Sequence, residues 1–319
     1  MTDAVALQVE NPLTVCYVAK HDSGGNDDEG AITQAFLDLG HNVERLRESR
    51  GQVAHKLEGD FLLFHKWEDL PSIARIQIPK VCWYFDLVDW PDDPTVADRC
   101  KRRLEWMDNV IPLADLAFLT DGDRVEKCNE SGKLHWLPQG ADLRVMGFGE
   151  ADERCCPICR KWWTGGVPIL FTGNRRGGRG RQDFVRDMEV RYGPDFLHIA
   201  DGVHGRDMAN LIASCRIVVA PDSPVTDRYW SNRVYNALGF GAFLIHPYCA
   251  KMTEQYDDHK EIVFYRSRGE LHEAIRYYWG REEDRLRIAK AGLNKTLYKH
   301  TYAHRVAELV RIVRERLLS

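Results

Sequence analysis

Residues 170–181, LFTGNRRGGRGR, run from an apolar segment into glycines and arginines. Glycine lets a backbone approach a ligand closely, and a following helix offers an anion its free N–H groups and positive dipole end. Arg175, Arg176, Arg179 and Arg181 add fixed positive charge. The stretch lacks both the Gly-Lys-Ser/Thr of a phosphate-binding loop and the GxGxxG of a dinucleotide fingerprint. A second stretch, YWSNRVYNALGFG at 229–241, predicts a short helix with Ser231 as N-cap and Arg233 in its first turn. Asn236 then lies one turn on, near the same face, and Gly239 and Gly241 end the helix. Arginine in a first turn opposes the helix dipole. A diphosphate, which a guanidinium grips bidentately, would reverse that cost.

Acidic chemistry is concentrated in WYFDLVDWPDDP at 83–94. Asp86 falls at the end of an apolar run, Asp89 three residues on, then Asp92 and Asp93. A carboxylate so placed can take a proton from an acceptor hydroxyl. Four acids could also hold a hard cation, although spacing alone defines no oxygen cage. Acidic residues are common in purely structural turns as well. In KHDSGGNDD at 20–28, His21 or Asp22 is an alternative base beside a Gly24-Gly25 turn. Cys155, Cys156 and Cys159 form a single CxxC, half of a structural zinc site. Cys128, His135 or Cys249 would have to complete it, and the position between two strand–helix series argues against redox catalysis.

Elements that could position these groups are legible as short apolar runs separated by amphipathic stretches. Residues 13–19, 61–65, 81–85, 116–120 and 134–137 read as strands, with helices at 28–39 and 95–110. A second series has strands at 167–172, 196–199, 216–220, 242–246 and 262–265, with a helix near 182–192. Such alternation predicts an α/β chain of parallel sheets covered by helices, doubly wound twice. The expected domains are 1–150 and 151–300, joined through a glycine-containing stretch at 147–166. Residues 301–319 read as a packing helix, because Val306, Leu309, Val310, Val313 and Leu317 form one stripe.

With 319 residues, 44% apolar and 29% charged, the composition excludes a disordered or collagen-like chain. The net charge of −4 means that any polyanion-binding surface must be local. Nine scattered cysteines, no signal-like leader and no apolar run of roughly 20 residues point to a cytoplasmic protein.

The order of these motifs resembles GT-B glycosyltransferases, in particular the spore-maturation CgeB-like group. The matching segments are FTGNRR, DGVHGRDMANLIASCRIVVAP, YWSNRVYNALGFGAFLIHP and KHTYAHR in the second half, and IPKVCWYFD and HWLPQGAD in the first. The resemblance implies two Rossmann-like domains facing across a cleft, the first binding acceptor and the second a nucleotide sugar such as UDP-glucose. It implies donor contacts from Gly173, Asn174, Arg175, Val203, Ser231, Asn232, Arg233, Tyr235 and Asn236. Asn236 stands where the group usually carries a ribose-binding Glu. Negative charge growing on the departing diphosphate would be stabilised by arginines and amides without a metal. Asp86, then Asp89, would be the base.

For the acceptor, compact phage proteins of this group suggest 5-hydroxymethylcytosine in double-stranded DNA, extruded into the cleft. His21, Gly24, Arg179 and Arg181 would line it, with Lys101–Arg103 on the backbone and Trp67, Trp83, Trp90, Trp162 and Trp163 as stacking residues. A cell-surface or spore-coat polysaccharide is the alternative acceptor. A non-catalytic nucleotide-sugar or nucleic-acid binding module is the alternative of another class.

Overall fold

The computed structural model describes residues 11–21, 28–48, 57–88, 94–142, 144, 168–175, 178–221 and 224–319. Asp22, Gly24, Asp89, Asp92, Asp93, Cys155, Cys156, Cys159, Arg176, Trp90, Trp162, Trp163 and the 147–166 joint lie outside them. The chain divides into two compact units. One falls within Met1–Asp89, Arg99–Gly140 and Tyr302–Ser319, the other within Trp90–Asp98 and Ala141–Thr301.

The first unit is built on β1 (Thr14–Ala19), β2 (Asn42–Arg47), β3 (Phe61–Phe64), β4 (Lys80–Tyr84), β5 (Leu116–Leu119) and β6 (Leu134–Trp136). All pair in parallel, in the order β2-β1-β3-β4-β5-β6. Phe61–Phe64 and Leu116–Leu119 are buried throughout, as strands covered on both faces must be. Side chains alternate between two cores. Tyr17, Phe61, Trp83 and Phe118 pack with α1 (Asp28–Asp38) and the last helix, while Val18, Phe64, Cys82 and Tyr84 pack with Trp67, Met107 and Val110. The latter two belong to α3 (Ala97–Val110); α2 (Leu70–Arg75) and α4 (Gly122–Cys128) complete the unit's helices among the described residues.

β2 was not among the expected strands. Its residues, NVERLR, are mostly exposed at the sheet's edge, where charge protects unpaired backbone groups and erases the apolar signal.

The second unit carries β7 (Ile169–Thr172), β8 (Phe196–Ile199), β9 (Ile217–Val219), β10 (Leu244–Pro247) and β11 (Val263–Tyr265). They form a parallel sheet ordered β11-β10-β9-β7-β8. Helices α5 (Arg179–Tyr192), α6 (Gly205–Ser214), α7 (Arg233–Gly239), α8 (Arg268–Trp279) and α9 (Glu282–Lys299) accompany it. Phe171, Phe184, Met188, Ile217, Phe243, Ile245 and Ile275 share one core. Gly292 lets α9 approach closely, since a Cβ there would stand 2.4 Å from the Glu261 carbonyl oxygen and 3.0 Å from Leu238 of α7.

The tail helix, α10 (Tyr302–Leu317), belongs to the first unit, and its Val306, Leu309 and Val313 are fully buried there. Its start is tied down by a polar network. The Tyr302 hydroxyl donates to Asp28 Oδ1 (2.5 Å), the Gln139 amide donates to Asp28 Oδ2 (2.8 Å), and Arg305 Nε–H donates to the Gln139 carbonyl (3.0 Å). The KHTYAHR and HWLPQGAD motifs thus supply partners in one structural network. No helix among the described residues is long and apolar enough to cross a membrane.

Candidate functional site

In an open parallel sheet, ligands settle beyond the strand carboxyl ends where the winding reverses. In the second unit that point lies between β7 and β9. The chain leaving β7 enters Gly173 with φ +145°, a conformation that an L side chain rarely adopts. The Arg233 guanidinium fills the space beside it: a Cβ built on Gly173 would meet Arg233 Nη1 at 3.2 Å and Cζ at 3.3 Å. The structure therefore brings together residues sixty positions apart that the sequence singled out separately. The Gly173 N–H is spent on the Ile199 carbonyl (2.8 Å), so this glycine offers close approach rather than a donor.

Arg233 is the first residue of α7. The Ser231 hydroxyl accepts from its N–H (3.3 Å), while Asn232 occupies the cap position without a side-chain cap bond. Helix ends shift by a residue in this way. At the other end, Gly241 (φ +80°) donates to Leu238 O (3.0 Å) and Ala242 to Ala237 O (3.0 Å), the two bonds of a glycine-terminated helix. The Arg233 guanidinium makes no hydrogen bond or ion pair with any described residue. Burial pushes its pKa below the ordinary arginine value, and only Tyr229 acts in the other direction. A desolvated cation with no carboxylate partner among the described residues, at the positive end of a helix, is costly until an anion arrives. Asn236 is half-buried one turn on, and its side-chain amide makes no hydrogen bond to described residues.

Other expected donor and acceptor residues are placed differently. Tyr235 is fully buried; its hydroxyl donates to Gln255 Oε1 (2.7 Å) and accepts from Trp230 Nε1–H (2.8 Å). It serves the core rather than a ligand, because neighbouring positions on a helix point to different faces. The Arg175 guanidinium turns back to Glu189 on α5 and to His198, to whose Nδ1 its Nε–H donates at 3.1 Å. The Asn174 carbonyl accepts from Arg181 (3.3 Å), which turns the latter toward its own loop. Arg179 is exposed at the start of α5. Val203 is buried in the turn after β8, just past Gly202 (φ +85°).

In the first unit, the reversal lies between β1 and β3. His21 follows β1 at φ 29°, strained for a non-glycine residue, and its Nε2–H donates to the Tyr17 carbonyl (3.0 Å). It is buried, with Arg45 Nε 3.5 Å from its Nδ1. His65 is buried beside it, donating from Nδ1 to the Trp83 carbonyl (2.6 Å) and accepting from the Tyr17 hydroxyl at Nε2. Asp86, past the end of β4, bonds both Lys66 and Arg103 through Oδ2, the latter at 2.9 Å. Its Oδ1 accepts no hydrogen bond from a described residue. Neither cation was evident from the spacing around Asp86, since one follows β3 and the other lies on α3.

Trp67 and Trp83 are not available for stacking. Both are buried in opposite cores of the first sheet, with Trp83 Nε1–H donating to the Leu137 carbonyl at 3.1 Å. Lys101 is exposed beside Glu105, and Arg103 is occupied by Asp86 and by the Leu87 carbonyl.

Burial lowers the pKa of His65 to about 4 in the first unit and of His246, at the end of β10, to about 4 in the second. Unfolded histidine titrates near 6.5, so between these values the unfolded chain binds more protons. Stability should therefore fall as pH drops from about 6.5 toward about 4, by up to ~3 kcal/mol per histidine. Thermal unfolding across that range should show a falling Tm, with a shallower slope in His246→Asn. A flat profile would contradict the neutral, buried state of both rings.

Residues 164–311 match the Glyco_trans_1_2 family, described as glycosyl transferase-like. No curated protein sequence matches the chain. Among solved structures, a glycosyltransferase from Rickettsia africae is similar with a TM-score of 0.62 at 10% identity, covering 97% of this chain and 99% of that one. Sucrose-phosphate synthase from Thermosynechococcus elongatus gives 0.67 at 10% identity, covering 95% and 98%. Anabaena HepE, solved in complex with UDP-glucose, gives 0.61 at 12% identity, covering 95% and 100%. The fold is that of GT-B glycosyltransferases.

Proposed function

We propose that this chain, GT-B in fold and matching a glycosyl transferase-like family over residues 164–311, is a glycosyltransferase that moves a sugar from a UDP-sugar to an acceptor hydroxyl. The observation that carries the donor half is Arg233, a half-buried guanidinium with no carboxylate partner among the described residues, packed on Gly173 beyond β7. The UDP-glucose complex of Anabaena HepE supports the choice of nucleotide. When the bond from the anomeric carbon to the diphosphate oxygen breaks, the electron pair leaves with the diphosphate. Arg233 neutralises that charge, and the Ser231 hydroxyl and Asn236 amide are the nearby groups that hydrogen-bond phosphate and ribose. The acceptor proton goes to Asp86 Oδ1, with Lys66 and Arg103 fixing the other oxygen.

For the acceptor, we carry forward the hydroxymethyl group of 5-hydroxymethylcytosine in duplex DNA. Its support is the resemblance to the CgeB-like group and the exposed Arg179 and Arg186 of α5, which suit a phosphate backbone. Incubation with UDP-glucose and duplexes containing cytosine, 5-methylcytosine or 5-hydroxymethylcytosine, followed by nucleoside mass spectrometry, tests it. Sugar gain on the hydroxymethyl base alone is expected. Release of UDP with no gain on DNA would overturn the DNA acceptor and leave a polysaccharide hydroxyl. No binding or turnover of any nucleotide sugar would overturn the donor as well.

A further inference from the structure

We infer that His198 is a positioning residue for the donor site: its imidazole holds the Gly173 peptide in the conformation that makes room for the Arg233 guanidinium. The inference rests on the donor reading above and adds a residue that neither sequence motif contains.

Two bonds fix the Gly173 peptide against β8. Its N–H donates to the Ile199 carbonyl (2.8 Å), and its carbonyl accepts from His198 Nε2–H at 2.7 Å. The ring lies nearly parallel to Phe171, with centroids 5.4 Å apart and planes 15° apart. Its other nitrogen, Nδ1, accepts from Arg175 Nε–H at 3.1 Å, and Arg175 is anchored in turn by Glu189 on α5. The chain of contacts runs from Glu189 through Arg175 and His198 to the Gly173 carbonyl. It explains why Arg175, expected to grip phosphate, turns away: it orients the ring that orients the loop.

Both ring nitrogens are used, so the arrangement requires neutral imidazole with its proton on Nε2. A second proton would land on Nδ1, lose the Arg175 bond and face a cation. The charged groups facing the ring among the described residues are Arg175 from the loop and Glu189 from α5; β7 presents the Phe171 ring. Burial, with Arg175, holds the His198 pKa below the ordinary value, so the ring is neutral near pH 7. Burial holds His246, which faces Arg233, well below the ordinary value, at about 4.

Imidazole nitrogen NMR on the protein without donor is the first test. The Nε2–H tautomer is expected at neutral pH, and a proton on Nδ1 would overturn the arrangement. UDP-glucose binding by calorimetry is the second, since its diphosphate diester keeps its charge through mild acid. His198→Ala should weaken binding about tenfold at neutral pH. His198→Gln, whose amide can donate to Gly173 and accept from Arg175, should bind as wild type does. As the pH is lowered from neutrality, wild type should lose affinity while His198→Gln does not. An unchanged constant in His198→Ala, or the same acid limb in wild type and His198→Gln, would overturn the inference. Wild-type protein that binds no nucleotide sugar would instead overturn the donor reading, and the tautomer would still report whether the ring holds the peptide.

Discussion

Replacing Arg233 with alanine is expected to raise the dissociation constant for UDP-glucose about a hundredfold without lowering Tm. The first part follows from chemistry: a bidentate, charge-assisted contact to diphosphate contributes roughly 3 kcal/mol when partly desolvated, which is about two orders of magnitude in affinity. The second follows from what the guanidinium lacks. It has no hydrogen-bonded partner among the described residues, burial already depresses its pKa, and it opens a helix whose dipole repels it. Removing it takes a liability out of the free protein, as expected where binding sites trade stability for function. Arg233→Lys keeps the charge and loses the fork, so its affinity should fall between the two. A variant that unfolds readily while binding UDP-glucose normally would show that Arg233 packs the α7 start rather than binding an anion.

Asp86→Asn is expected to reduce kcat about a hundredfold or more while leaving donor affinity unchanged, the range for losing a general base. Asparagine is nearly isosteric, and its carbonyl oxygen can still accept from Lys66 and Arg103, which hold the carboxylate now. What it cannot do is take the acceptor proton. Steady-state rates with saturating donor, set beside calorimetric donor binding, separate the two effects. Equal kcat in variant and wild type would remove Asp86 as the base. Loss of donor affinity would mean that the substitution disturbs more than the proton transfer.

The parallel sheets were legible because strands covered on both faces write themselves as unbroken apolar runs, such as FLLF at Phe61–Phe64 and LAFL at Leu116–Leu119. Edge strand β2 was not, since NVERLR satisfies solvent rather than a core. The beginning of α5 was also missed. The helix starts at Arg179, right after Gly178 at φ +111°, so part of the arginine-rich segment expected as loop is helix. In the candidate site, local spacing singled out Gly173, Ser231 and Arg233, which the structure places together, because helix and turn chemistry is local. It misassigned Tyr235, since a hydroxyl in a polar motif looks like a ligand contact until the helix face is known. It likewise read Trp67 and Trp83 as stacking surfaces when both fill cores. Partners that come from distant elements, such as Lys66 and Arg103 on Asp86 or His198 under Gly173, leave no trace in spacing. Only the sheet order brings them together.

A crystal structure with UDP bound tests the central claim most directly. The diphosphate is expected on the Arg233 guanidinium, beside Gly173 and the Ser231 hydroxyl, with the ribose toward Asn236. Clear density for UDP elsewhere on the protein, with the Arg233 guanidinium touching none of it, would contradict it.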